Sequence, residues 1–152
     1  MSLSDANVTP PTPSGSRRRV LVIQNPTAGW RRQRRFERIL NALVREGVDI
    51  DVRPTTKRGD AEAFARHADP NHVDVIAVAG GDGTINEVVN GLQDSILPLA
   101  IMPLGTANVL AHEIGLDGAP AEIARTIAHG TPRPISVGIV NGRRFVMMAG
   151  FG

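Results

Sequence analysis

Val73-Asp74-Val75-Ile76-Ala77-Val78-Ala79-Gly80-Gly81-Asp82-Gly83-Thr84 is an apolar, β-branched run that ends in a glycine-rich turn. Residues 73–78 have the composition of a strand, and Ile85, Val88, Val89 and Leu92 then recur at helical spacing. The turn at residues 80–84 should therefore join the carboxyl end of a strand to the amino end of a helix. Three glycines in this short turn permit positive φ and a close approach of backbone to ligand. Successive N–H groups there, reinforced by the helix N-terminus, can cradle a phosphate. The turn lacks the Gly-Lys-Ser/Thr ending of a P-loop and the GxGxxG spacing of a dinucleotide fingerprint. A carboxylate in an anion cradle calls for a cation, so Asp82 suggests Mg2+ or an ordered hydroxyl nearby. The plain structural alternative is a tight strand-to-helix turn in which Asp82 caps the helix.

Outward from this segment, strands and helices alternate. Val20-Leu21-Val22-Ile23 suits a strand buried on both faces of a parallel sheet. The turn Asn25-Pro26-Thr27-Ala28-Gly29 follows it. Phe36, Ile39, Leu40, Leu43 and Val44 then mark the buried stripe of a helix, with Arg34, Arg35, Arg38 and Arg45 opposite and Gly47 as its stop. Residues 48–53 and 97–102 read as strands, and residues 60–67, 107–114 and 119–129 as helices. The expected architecture is α/β: a doubly wound, mostly parallel sheet with helices on both faces. In such a sheet the turns after the strands gather on one edge, where ligands bind. Residues 25–29, 80–84 and 105–108 should share that crevice.

The flanks differ. Residues 1–16 are rich in Pro, Ser and Thr and read as a disordered tail. Arg17-Arg18-Arg19 reads as a solvated edge. Residues 17–132 form the expected nucleotide-binding α/β domain. From residue 133 the pattern becomes a hairpin, 134–140 and 143–148, about the turn Asn141-Gly142. A lone hairpin is marginal in water, so residues 133–152 are expected to be the start of a truncated β-rich unit.

Composition excludes several classes. With 41% hydrophobic and 21% charged residues the 152-residue chain is an ordinary globular sequence. The formal charge of +2 is too small to indicate nucleic acid, and four Phe, one Trp and no Tyr argue against base stacking. The absence of cysteine excludes disulfides and Cys-based zinc sites. No run approaches the roughly 20 apolar residues of a membrane span. The expected location is cytoplasmic, with any membrane contact peripheral.

Gly80-Gly81-Asp82-Gly83-Thr84, continued by Asn86-Glu87-Val88-Val89-Asn90-Gly91, resembles the signature of the diacylglycerol kinase catalytic domain, a family of diacylglycerol, sphingosine, ceramide and bacterial lipid kinases. Asn25-Pro26-Thr27-Ala28-Gly29 is similar to its NPxSG segment, with Ala28 where Ser is usual. Thr55, ahead of Gly59-Asp60-Ala61, resembles its nucleotide-contacting Thr. Pro103-Leu104-Gly105-Thr106-Ala107-Asn108-Val109-Leu110-Ala111 resembles its PxGTxNxLA segment. The resemblance covers roughly residues 18–152. It implies an ATP-dependent kinase acting on the hydroxyl of a lipid alcohol, with ATP and Mg2+ as cofactors. Asn25, Pro26, Gly29 and Thr55 would border ATP. Gly80, Gly81, Asp82, Gly83, Thr84, Asn86 and Glu87 would hold its phosphates, mainly through backbone amides. Gly105, Thr106 and Asn108 would complete the nucleotide site, and Asp82 would organise Mg2+ or the loop. The family continues into a β-sandwich that binds lipid and supplies the general base; Ala149-Gly150-Phe151-Gly152 resembles the entry to it. Ser136 stands where the family often has Asp.

Two other functions fit less of the sequence. NAD kinase shares the GGDGT turn, but residues 25–29 and 103–111 are the lipid-kinase versions. A non-catalytic nucleotide-binding or regulatory module would account for the missing β-rich unit. Glu87, three residues after Thr84, could instead close a capping box. His67, His72, His112 and His129 lack metal-ligand spacing and read as structural. Arg31, Arg32, Arg34 and Arg35 read as a solvated helix face, and Trp30 as packing on the first helix. The exposed hairpin favours self-association, so a homo-oligomer is one expected state.

Overall fold

In a computed structural model the described residues are 17–26, 29–104, 109–116 and 118–146. The expected tail at 1–16, the residues Thr27 and Ala28, the segment containing Gly105, Thr106 and Asn108, and residues 147–152 lie outside them.

Strands β1 (Arg19–Gln24), β2 (Asp49–Pro54), β3 (Val75–Gly80) and β4 (Leu99–Pro103) form one sheet in the order β2-β1-β3-β4, with every neighbouring pair parallel. The helices are α1 (Trp30–Arg45), α2 (Asp60–Arg66), α3 (Asp82–Gly91), α4 (Val109–Glu113) and α5 (Pro120–His129). Side chains alternate across a strand, so each central strand feeds two cores. Val20 and Val22 of β1 meet Phe36, Ile39 and Leu43 of α1 and Ile123 and Ile127 of α5. Leu21 and Ile23 of the same strand meet Ala61 and Ala65 of α2 and Ile85 and Val88 of α3. Helices therefore cover both faces, as the strand–helix alternation predicts. Each fully buried Ile or Leu contributes about 1.5–3 kcal/mol relative to exposure. β2 is an edge strand, and its Asp49, Asp51 and Arg53 keep that edge charged.

Several sequence expectations need correction. Val44 is 65% exposed, whereas Ala42 is buried. The buried stripe of α1 is rotated toward Ala42 because α5 packs on that side. β3 runs through Gly80, and α3 already begins at Asp82, so the expected five-residue loop shrinks to a turn at Gly80-Gly81. The arginines at 17–19 are not simply a solvated edge. Arg18 donates to the carbonyls of Ile127 and Gly130 at the end of α5 (2.9 and 3.3 Å). Arg19 pairs with Asp74 through its backbone N–H (2.7 Å) and its guanidinium (2.9 Å), which holds the Asp74 carboxyl below the usual carboxylate range.

The expected hairpin exists with shorter strands, β5 (Gly138–Val140) and β6 (Arg143–Phe145). Its turn has positive φ at both Asn141 (51°) and Gly142 (76°), the twist that suits a two-residue hairpin. It does not stand alone. Val146 is buried in the core beneath α2 and α3, and β6 is bonded to side chains of both helices. Tertiary contacts thus supply what an isolated hairpin lacks.

Candidate functional site

The strand order reverses between β1 and β3. From β1 the chain leaves for α1 on one face, and from β3 it leaves for α3 on the other. A doubly wound sheet opens a ligand crevice at that switch point, beyond the carboxyl ends of the strands. The residues there are Asn25, after β1, and the Gly80-Gly81 turn, after β3.

Asn25 spans the switch point. Its backbone N–H donates to the Ala79 carbonyl at 2.9 Å, and its Nδ2 donates to Thr84 Oγ1 at 3.2 Å. Thr84 is 7% exposed. Gly80 lies under this bridge: a Cβ there would stand 3.1 Å from Thr84 Oγ1 and 3.4 Å from the Asn25 Cβ. The glycine is thus explained by close approach. Among the described residues, neither Gly80, Gly81 nor Gly83 has positive φ, contrary to the sequence-based argument for that turn. Gly83 differs: it is exposed, and a Cβ there would meet nothing within 4 Å.

Gly81 is the N-cap of α3, in extended conformation, and as a glycine it offers no side chain to cap the helix end. Asp82 is therefore not the cap; it sits in the first helical turn, half-buried, with Oδ1 shielded from solvent. Ile85 N–H closes on the Gly81 carbonyl at 3.1 Å. Amides up to Thr84 lack a partner four residues back, and later ones are spent inside the helix. Of the stretch 81–87, only the first turn can offer N–H groups to an anion, where the helix dipole adds to them.

Thr55 joins this edge because its N–H donates to the Gln24 carbonyl at 2.8 Å. The loop after it is organised by Asp60, whose Oδ2 accepts from Thr56 N (2.7 Å), Thr56 Oγ1 (2.9 Å) and Lys57 N (3.0 Å). The Thr56 N–H and hydroxyl hold the Asp60 carboxyl below the usual carboxylate range. Sequence reading missed this role, although an Asp four residues after a Thr, at a helix start, is a usable signal.

The remaining expected site residues separate. Pro26 is exposed, and Gly29 (φ 127°) is the N-cap of α1. Asn86 turns away: its Oδ1 accepts from Val146 N at 3.3 Å. Glu87 closes no capping box with Thr84, because the N-cap is Gly81 and Thr84 already lies inside the helix; its Oε1 accepts from Gly59 N–H at 2.5 Å. Asn90, quoted in the sequence only as part of the family signature, and Glu62, not singled out there, hold the hairpin, with Glu62 accepting from both terminal Arg143 guanidinium nitrogens at 3.0 Å.

Around the corner, the start of α1 forms a hollow of about 360 Å3 lined by Trp30, Arg31, Arg34, Arg35, Arg38 and Pro120. Trp30 is 65% exposed, with the Arg31 and Arg34 guanidinium carbons 5.9 and 5.5 Å from its ring centre. Arg35 is not a solvated side chain: it donates to the Pro103 and Gly118 carbonyls at 3.1 and 3.0 Å. Among the described residues no three His, Cys, Asp or Glu side chains group as metal ligands, and no helix is long and apolar enough to cross a membrane.

This chain is similar to a recognised set of proteins. The family model described as the diacylglycerol kinase catalytic domain matches residues 19–140. A diacylglycerol kinase of Bacillus subtilis (strain 168) is 38% identical over 139 residues, covering 89% of this chain and 46% of that protein. A probable lipid kinase YegS-like protein of Klebsiella pneumoniae (strain 342) is 41% identical over 118 residues, covering 74% of this chain and 40% of that protein. The crystal structure of a diacylglycerol kinase from Bacillus anthracis str. Sterne superposes with a TM-score of 0.73 at 32% identity, over 86% of this chain and 49% of that one. The chain spans less than half the length of these curated relatives.

Proposed function

The chain belongs to the diacylglycerol kinase catalytic-domain family, and we propose that it is the nucleotide-binding part of an ATP-dependent lipid kinase. The reaction is phosphoryl transfer from ATP to the hydroxyl of a lipid alcohol such as diacylglycerol, reached from the membrane surface as a peripheral protein of the cytoplasm. The observation that carries this reading is the Asn25–Thr84 bond across the switch point. It joins the turn after β1 to the first turn of α3, so that side-chain donors and helix-end amides face one edge.

In this reading the ATP phosphates lie against the N–H groups at the start of α3, over the open face of Gly83. Asn25 and Thr55 flank the nucleotide, and Gly105, Thr106 and Asn108 close the site as in the family's segment. Asp82 fits a role beside Mg2+: it is a half-buried carboxylate in the first turn of α3, the turn that forms the anion cradle. Mg2+ needs only one or two protein carboxylates when phosphate oxygens complete its shell, so a three-ligand cage is not required. When bound, the ion would neutralise charge on the transferring phosphoryl group. The described residues supply positioning and charge balance, and we assign no general base among them.

Calorimetric titration of the 152-residue chain with ATP and Mg2+, beside Asp82→Ala and an NAD titration, tests the proposal. Saturable ATP binding that weakens in the variant, with no NAD binding, is the expected result. A folded chain that also binds NAD saturably would move the reading to NAD kinase.

A further inference from the structure

Beyond its first turn α3 carries three polar side chains, and only one of them reaches the loop that carries Thr55. Asn86 and Asn90 reach the hairpin. Glu87 reaches the other way, to the N–H of Gly59. Gly59 is the N-cap of α2, left-handed at φ 93°, with no side-chain cap of its own.

The loop 55–59 is fixed at three points. Its front is tied to β1 by the Thr55 N–H on the Gln24 carbonyl. Its middle is gathered by Asp60. Its rear is tied to α3 by Glu87 alone among the described hydrogen bonds. The first tie goes to the neighbouring strand β1 and the second to the start of the loop's own helix α2; the third crosses to the helix whose first turn is the anion cradle. The contact is possible because α2 and α3 run side by side in the same direction. Gly59 faces Glu87, and one turn on Glu62 faces Gly91, where the backbones are too close for a Cβ.

We infer that Glu87 is a positioning residue for the nucleotide, acting through Gly59 to lock the Thr55 loop at a fixed distance from the start of α3. The inference rests on the nucleotide reading above and deepens it. In this role the carboxylate sets the spacing of the two elements that border the ligand. Because Gly59 is exposed, its N–H can turn to water when the acceptor is removed, so the fold tolerates the loss while the site loosens.

The test uses the whole chain and three variants: Glu87→Ala, Glu87→Asp and Glu87→Gln. Gln keeps an acceptor oxygen at the same reach, whereas Asp keeps the charge but is one methylene short. Mg2+–ATP affinity is read by calorimetry, Gly59 amide exchange by NMR, and folding by thermal melting. Ala and Asp should each lose about tenfold in affinity, the worth of roughly one positioned hydrogen bond, and expose the Gly59 amide. Gln should bind within about twofold of the parent and keep the amide protected. Parent-like binding by Asp with weakened binding by Gln would mean that charge matters, not reach, and would overturn the inference. So would parent-like affinity in Ala. Should Ala fail to fold, the Asp and Gln pair decides. A folded parent that binds no ATP removes the underlying reading, and this inference with it.

Discussion

Asn90 pairs with Arg144 as a neighbouring strand would: its Nδ2 donates to the Arg144 carbonyl and its Oδ1 accepts the Arg144 N–H, both at 2.9 Å. The same Nδ2 also donates to the Asn86 carbonyl at 2.7 Å, so a side chain only 6% exposed is fully engaged. The helix that opens the anion cradle is thus also the partner of β6.

Asn90→Ala would leave both backbone groups of Arg144 without that partner in a part-buried place. A loss of about 1–3 kcal/mol is expected, concentrated in the hairpin. Amide exchange should show this as lost protection at Arg144 and Val146, with β1 and β3 unaffected. Unchanged protection at Arg144 would mean that the apolar seat of Val146 is sufficient to dock the hairpin.

Gly91→Ala carries an unusual sign. Alanine ordinarily improves a helical position by up to roughly 1 kcal/mol over glycine. Here the added Cβ would stand 2.7 Å from the Ala65 Cβ and closer still to the Glu62 carbonyl oxygen, so α2 and α3 must part. A net loss of about 1–3 kcal/mol is expected from overpacking. Urea denaturation checks it, and a gain in stability would contradict the close crossing.

Acid should release the hairpin. The Arg143 guanidinium holds the Glu62 carboxyl below the usual range, and Arg19 does the same for Asp74. Both folded-state values lie below the unfolded ones. Their stabilisation is complete above the ordinary carboxylate pKa of about 4 and disappears as pH falls through the lowered values. Stability should therefore be insensitive to these groups near neutrality and fall below about pH 4. Glu62→Gln should flatten part of that fall in pH-dependent melts, and an unaltered acid limb would remove Glu62 from the account.

The arginines of α1 should divide by partner. Arg35→Ala removes two donors that tie α1 to the end of β4 and the start of α5, with an expected cost of roughly 1–2 kcal/mol. Arg34→Ala removes only an exposed contact with Trp30 and should fall within about 0.5 kcal/mol of the parent. Equal losses in denaturation would show that the carbonyl contacts contribute little.

Periodicity and turn chemistry determined the architecture. Apolar runs at period two and stripes near period three and a half identify strands and helices locally, and their alternation leaves few topologies. The glycine turn and Asn25 were legible because turns after parallel strands share an edge; Thr55 was marked only by the family resemblance. Tertiary structure decided what local pattern cannot encode. Val44 and Ala42 exchanged places because the partner helix, not the stripe, chooses the buried face. Gly80 was legible as a glycine but not as a close approach, since its neighbours, Thr84 and Asn25, come from two elements joined only in the fold. Asn86, Glu87 and Asn90 are adjacent turns of one helix, yet two reach the hairpin and one reaches α2. A side chain's direction follows from the sequence; what stands in that direction is fixed only when the sheet, both helical layers and the hairpin have packed.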